Sequence, residues 1–263
     1  MSDGRNFRAL EDIRGLDEIV SISTITAQCN LQSTFNTLNI FKYIDLERGK
    51  IESAKYANCL RTPTEALMNS TISAKKTKQI KTFYNQVTLE INKNKIKLFD
   101  NGSIHITGCK GYENIKGVIS ILCEKLNIKK GILTEDNGVV EIDYLEPDKK
   151  ISLNDISDFT INLINCGFKF GFSIDILKLY DLLIHGGIEC VCDLDLHACV
   201  NIKFKCCMED KIVSIFVFRK DGNVIITGGT CRNHIEQAYN FICKKIRFHY
   251  NEIIDVSAEM ENI

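Results

Sequence analysis

The chain has 263 residues, 44% of them hydrophobic and 25% charged, a composition that excludes collagen, long coiled coil and extended disorder and suits one large domain or two small ones. No apolar run reaches the roughly 18 to 20 residues of a bilayer-crossing helix, and Met1 to Gly15 lacks the apolar core of a secretory signal, so a soluble intracellular protein without membrane contact is expected. The net charge of −1 conceals a split: residues 1–130 carry 20 Lys and Arg against 13 Asp and Glu, and residues 131–263 carry 13 against 21, so one half suits an anionic partner and the other a basic one.

In chain order, residues 1–18 read as a tail and Ile19–Ala27 as an apolar strand. Ser33 then offers a cap for a helix near Thr34–Ile44. Residues 47–80 are polar and rich in Lys, Ser and Thr, and read as an irregular insertion, with Lys75, Lys76, Lys78 and Lys81 as a charge run. A strand follows at Phe83–Ile91. Next comes a hairpin, Lys95–Phe99 and Ser103–Thr107, around Asp100-Asn101-Gly102. Apolar residues at helical spacing through Ile115–Leu126 predict an amphipathic helix. Residues 129–155 hold Gly131, Gly138, Pro147 and several acidic residues, and read as a linker with one strand at Val139–Tyr144.

The rest of the chain repeats this order. Phe159–Phe168 reads as a strand, Ile174–Ile184 as a helix after Ser173, Cys199–Cys206 as a strand, Val213–Phe218 and Asn223–Thr227 as a hairpin around Asp221-Gly222, and Ile235–Ile246 as the closing helix. The hairpins align as Phe99-Asp-Asn-Gly-Ser-Ile-His-Ile-Thr-Gly108 with Phe218-Arg-Lys-Asp-Gly-Asn-Val-Ile-Ile-Thr-Gly228, and the helices align without gaps, Cys123 opposite Cys243. The chain is a duplicated module, residues 19–128 and 156–250, with a tail at 251–263.

Alternation assigns Ile96, Leu98, Ile104 and Ile106, and in the second module Val213, Ile215, Val217, Val224 and Ile226, to the face that meets the helices. The opposite face carries Lys97, Phe99, His105 and Thr107, and then Phe216, Phe218, Ile225 and Thr227. Two arrangements account for a sheet apolar on both sides. The modules pack sheet against sheet, or one face is left open as an interaction surface. The polar residues on that face suit contact with a polar, anionic partner better than a dry sandwich core.

Three stretches carry a resemblance to a known family: Ser23-Thr-Ile-Thr-Ala-Gln-Cys-Asn-Leu31, Lys97-Leu-Phe-Asp-Asn-Gly-Ser-Ile-His-Ile-Thr-Gly-Cys-Lys110, and Ser214-Ile-Phe-Val-Phe218 with Gly222-Asn-Val-Ile-Ile-Thr-Gly228. The chain resembles a divergent TATA-binding protein across most of residues 19–250. The resemblance implies an α+β fold, a saddle in which two repeats related by a pseudo-twofold axis form one curved antiparallel sheet with four helices on the convex side. It implies a general transcription initiation factor whose concave face docks on the minor groove of AT-rich promoter DNA and bends it with apolar wedges. The partners implied are factors resembling transcription factors IIB and IIA, and RNA polymerase, in the nucleus or in a viral factory in the host cytoplasm. Lys in excess of Arg and the divergence fit an AT-rich unicellular organism or a large DNA virus, the second being preferred.

Carried over by position, the wedges are Phe83 and Phe99 in the first repeat and Phe218 in the second. There the partner position falls near Ala198, too small to insert, and Phe216 is its substitute. Thr107 and Thr227 match the threonines that meet base edges, and Ile22, Leu163 and Ile225 match the apolar floor. Thr24 and Asn165 lie on the same strands, and Lys110 follows the first Thr-Gly. The family's two central asparagines align with Val20 and Ile161, although Asn162 is adjacent. A valine aligns with His105, a leucine with Lys97, and the second repeat has Thr230 in place of the lysine. A second reading, a protein–protein module with the same fold and no DNA binding, rests on Val20, Ile161, Ala198 and the acidic second half.

The twelve cysteines read as reduced, buried thiols. Cys190, Cys192, His197, Cys199, Cys206 and Cys207 offer zinc-ligand types, but not at the spacing of a known ribbon or finger, and no cofactor or metal is expected. No Walker loop, HExxH, GxSxG or paired-carboxylate pattern is present, so the chain is read as non-enzymatic.

Overall fold

The computed structural model describes residues 8–63, 85–194, 197–207 and 210–255, apart from the side chain of His197. The chain divides into two compact units, one of residues 26–160 with the N-terminal residues to Glu11, the other of Asp12–Ile25 with residues 161–263. No helix among the described residues is long and apolar enough to cross a membrane.

The first unit contains α1 (Arg8–Asp12), β1 (Ser21–Asn30, shared with the second unit), α2 (Thr37–Tyr43), β2 (Ile51–Tyr56), β3 (Cys59–Arg61), β4 (Gln86–Ile91), β5 (Asn94–Phe99), β6 (Ser103–Cys109) and α3 (Tyr112–Leu126), then a separate two-stranded ribbon of β7 (Lys130–Leu133) and β8 (Val139–Ile142). Its strand order is β1-β6-β5-β4-β2-β3, with the β2–β3, β2–β4, β4–β5 and β5–β6 pairs antiparallel. The second unit contains most of β9 (Ser157–Lys169), α4 (Ile176–His185), β10 (Cys190–Asp193), β11 (His197–Lys205), β12 (Ile212–Phe218), β13 (Asn223–Gly229), α5 (Arg232–Phe248) and α6 (Tyr250–Ile253). Its order is β9-β13-β12-β11-β10, antiparallel throughout. The same α+β arrangement is therefore built twice, as the internal repeat requires.

Side-chain alternation decides each core. Ile96, Leu98, Ile104 and Ile106 are fully buried on one side of β5 and β6, and α3 lays Ile115, Val118, Ile119, Leu122, Cys123 and Leu126 over the first sheet as one apolar stripe. In the second unit Val213, Ile215, Val217, Val224 and Ile226 are equally buried, and α5 contributes Ile235, Ala238, Ile242, Cys243 and Ile246.

The structure departs from the sequence reading at several places. The helix caps are not Ser33 and Ser173. Phe35 and Ile174 stay extended and bridge Leu145 and Ile254, so each helix starts after them, capped by Asn36 (Asn39 N–H to Oδ1, 3.0 Å) and Asp175 (Lys178 N–H to Oδ1, 3.1 Å). The stretch read as irregular holds β2 and β3 within residues 51–61, because β4 needs a partner on its outer edge. The residues read as an N-terminal tail bury Leu10, Ile13 and Leu16, and Asp12 Oδ2 accepts from the Arg232 N–H at 2.8 Å. The linker carries two strands rather than one, with Leu133 directly opposite Val139. The charge run from Lys75 to Lys81 lies outside the described residues.

Candidate nucleic-acid interface

In the first unit, the sheet face away from α3 is built by the odd-numbered residues of β5 and β6. Lys97 stands directly opposite His105, and the Phe99 and His105 rings meet edge to face with centroids 5.2 Å apart. Phe99 and His105 are half-buried, while Lys97 and Thr107 are exposed, as is Lys110 just beyond β6. Lys95, exposed and directly opposite Thr107, joins the same row. The sequence reading left Lys95 out, although the spacing of Lys95, Lys97 and Phe99 carries the signal. Gln86 sits beside Phe99 on β4, and Phe83 lies outside the described residues.

The second unit repeats the pattern with a different polarity. Phe216 and Phe218 are half-buried on β12, Phe216 is directly opposite Ile225, and Ile225 is 37% exposed. Gly167 lies on the other side of Ile225, and a Cβ there would come within 2.6 Å of Val224 O, so this patch of strand is open by necessity. Thr227 is opposite Asn165 and its hydroxyl donates to Asn165 Oδ1, which leaves the amide hydrogens of Asn165 for another acceptor. Asn201, beside Phe216 on β11, has a buried Oδ1 with no hydrogen-bond partner among the described residues, and Lys203 donates to Ser214 Oγ at 2.9 Å. Ala198 is exposed.

The first strands do not present their residues as the family alignment implies. Leu31 N–H donates to Gly102 O and Phe170 N–H to Gly222 O, while Phe35 N–H donates to Asp100 O and Ile174 N–H to Arg219 O. Leu31 thus corresponds to Phe170 and Phe35 to Ile174, which makes Thr26 the counterpart of Asn165 and Ile22, not Val20, the counterpart of Ile161. Burial agrees. Ile22 and Ile25 in β1, and Ile161 and Ile164 in β9, are buried three residues apart, so both strands change phase at the same point. Val20, Ile22 and Ile161 are 2%, 6% and 6% exposed; Thr24, Thr26, Leu163 and Asn165 are half-buried and Asn162 is exposed. Thr26 was missed because alternation read from the start of the strand runs out of phase by its middle.

Eight of the twelve thiols belong to the cores; against the sequence expectation Cys207 is exposed and Cys59, Cys192 and Cys231 are half-buried. Burial pushes Cys29, Cys109, Cys123 and Cys166 up to about 12, with Cys123 adding to the shift at Cys29. Cys190, Cys192 and Cys199 are raised as well, first by burial. No group of three or more His, Cys, Asp or Glu side chains converges as metal ligands among the described residues.

No family model matches. A TATA-box-binding protein-like protein of Acanthamoeba polyphaga mimivirus is 34% identical, the match covering 90% of this chain and 67% of that relative. The chain belongs to the TATA-box-binding-protein-like family. Among solved structures it is similar to the TBP of Methanococcus jannaschii, with 17% identity, a TM-score of 0.48, and coverage of 87% of this chain and 98% of the other.

Proposed function

We propose that this TATA-binding-protein-like chain is a non-catalytic transcription initiation factor that sets the helix-free sheet face of its units on the minor groove of AT-rich promoter DNA, bends the duplex, and recruits further initiation factors and RNA polymerase. One observation supports this reading above the others: each unit carries, at repeat-related positions on an open strand face, a half-exposed phenylalanine and a threonine hydroxyl, Phe99 with Thr107 and Phe218 with Thr227.

The minor-groove edge of an A·T pair presents acceptors alone, so donors suffice to read it. Thr107 and the Asn165 amide supply donors, the Thr227 hydroxyl being spent on Asn165 Oδ1, with Thr24 and Thr26 beside them, while Leu163 and Ile225 give the apolar floor and Ile22, which the family expectation also assigns there, is buried. Phe99, Phe218 and Phe216, with Phe83, are the wedges. Opening a base step costs a few kcal/mol, offset because the bent duplex meets more protein surface, which is the behaviour of TATA-binding proteins as a class. The repeat-related pair Ile22 and Ile161 is apolar and buried, so no hydrogen-bonding side chain stands there and this chain reads a less specific AT-rich element. Cations are concentrated in the first unit, at Lys95, Lys97 and Lys110, and three phosphate contacts there contribute a slope of about −3 to log K against log salt. Factors resembling transcription factors IIB and IIA are the protein partners that this role requires.

Gel-shift and bending assays on AT-rich duplexes test the reading. Salt-sensitive binding and bending are expected, and Phe99→Ala and Phe218→Ala should abolish bending without changing the circular dichroism spectrum. Absence of salt-sensitive binding below micromolar concentration sinks the DNA role and leaves a protein–protein module. Normal bending by both variants overturns the wedge assignment alone.

A further inference from the structure

On the helix side of the second unit, five aromatic rings surround a cavity of about 470 Å³: Phe168 near the end of β9, Phe170 and Phe172 in the turn that follows, Tyr239 on α5 and Tyr250 at the start of α6. They touch in sequence, Phe170 with Phe168 at 5.3 Å, Phe168 with Tyr239 at 4.8 Å, Phe170 with Phe172 at 5.9 Å and Phe172 with Tyr250 at 4.9 Å. Rings that complete a core are normally covered, whereas none of these five is buried. Phe168 continues the buried row of Ile164 and Cys166 on β9, so the cavity opens on the side of the sheet away from Phe216 and Phe218.

The rim is positive. Lys169 is paired with Asp221 at 2.9 Å, but Arg247, which lines the cavity and is exposed, makes no ion pair among the described residues. Lys244, also exposed, lies one turn earlier on α5. The sole acidic residue of α5, Glu236, is paired with Arg232 at its opposite end. Within a half of the chain whose net charge is −8, an unpaired guanidinium beside an aromatic cavity selects an acidic ligand, and the rings select an apolar side chain carried by it.

We propose that this cavity docks a short acidic segment of a partner protein, with one large aromatic or aliphatic side chain seated among the rings and a neighbouring carboxylate on Arg247. Bare phosphate backbone satisfies the cation and leaves the rings uncovered, which favours a peptide over nucleic acid. The site stands independently of DNA binding, since it lies on the other side of the sheet.

The protein contains no Trp, so a single Trp in an added peptide reports binding by its own fluorescence. The probe is an acetylated peptide with one Trp flanked by Asp and Glu; the control carries Lys in place of each acid. The acidic probe should shift to the blue on the full chain and lose affinity with salt, and the lysine control should not bind. Arg247→Glu should weaken the probe about tenfold or more and Arg247→Lys much less, with the melting temperature unchanged because the side chain is exposed. Phe172→Ala should weaken it comparably. No binding of the acidic probe, equal binding of both peptides, or indifference to Arg247→Glu overturns the proposal. So does an Arg247→Glu variant that loses duplex affinity while keeping the peptide.

Discussion

Replacing the buried turn glycine of the first hairpin by alanine should damage the fold far more than backbone strain alone would. Gly102 has φ +84°, and a Cβ there would lie 2.0 Å from Ser33 O, against the 3.4 Å or more of ordinary contact. Ser33 is not free to withdraw. Its segment is tied to the hairpin by Leu31 N–H to Gly102 O (3.1 Å), Phe35 N–H to Asp100 O (3.0 Å), Thr37 Oγ1 to Asp100 Oδ1 (2.6 Å) and Asn30 Nδ2 to Asn101 O (3.2 Å). The left-handed backbone costs about 1 kcal/mol for alanine, and opening the loop by more than an ångström costs about 0.5 to 1.5 kcal/mol for each bond broken. Gly102→Ala should therefore lose about 3 to 7 kcal/mol. Its repeat partner Gly222 (φ +53°) places a Cβ 2.9 Å from Phe172 O and 3.0 Å from Phe170 Cβ, a milder conflict that predicts about 2 to 3 kcal/mol. Gly49 (φ +80°) has nothing within 4 Å, so Gly49→Ala isolates the backbone cost at about 1 kcal/mol. Urea unfolding followed by circular dichroism and tyrosine fluorescence should rank the three in that order. If Gly102→Ala is no worse than Gly49→Ala, the loop is not held as described and the reasoning fails.

Removing the helix caps should be a smaller, symmetric test: Asn36→Ala and Asp175→Ala should each cost about 1 kcal/mol in the same unfolding assay, whereas Ser33→Ala and Ser173→Ala leave their helices capped. Alkaline pH should weaken the fold through its thiols. Cys29, Cys109, Cys123 and Cys166 are raised from about 9 to about 12, so the neutral form is favoured in the folded chain. Their stabilisation is full below pH 9 and declines between pH 9 and 12, by up to about 1.4 kcal/mol per pH unit per thiol. Unfolding measured across that window should show a shallower decline in Cys166→Ala than in the parent, and an equal decline in both would place the titration elsewhere.

Much of the fold was legible because its signals are local. The Gly102 turn, the alternating Ile96, Leu98, Ile104 and Ile106, and the α3 and α5 stripes each depend on residues within a few positions of one another, and the repeat doubles every such signal. The opposite-face partners of those core residues, Phe99, His105, Thr107, Phe216, Phe218 and Thr227, followed from the same alternation. The family resemblance paired Val20 with Ile161, whereas the hydrogen bonds of the two units pair Ile22 with Ile161.

What the sequence determined by itself was the duplicated strand-and-helix module and the two-faced hairpins, since the period of burial along one strand is written in its own residues. Only the tertiary structure decided which residues of β1 and β9 correspond, that β2 completes the edge of the first sheet, and that five aromatic rings stay uncovered beside Arg247. Those depend on hydrogen-bond partners and packing neighbours far away in the chain, and a phase change such as that between Ile22 and Ile25 leaves no mark in composition. Thr26 joined the candidate interface for that reason alone: its counterpart is set by Leu31 bonding to Gly102 as Phe170 does to Gly222.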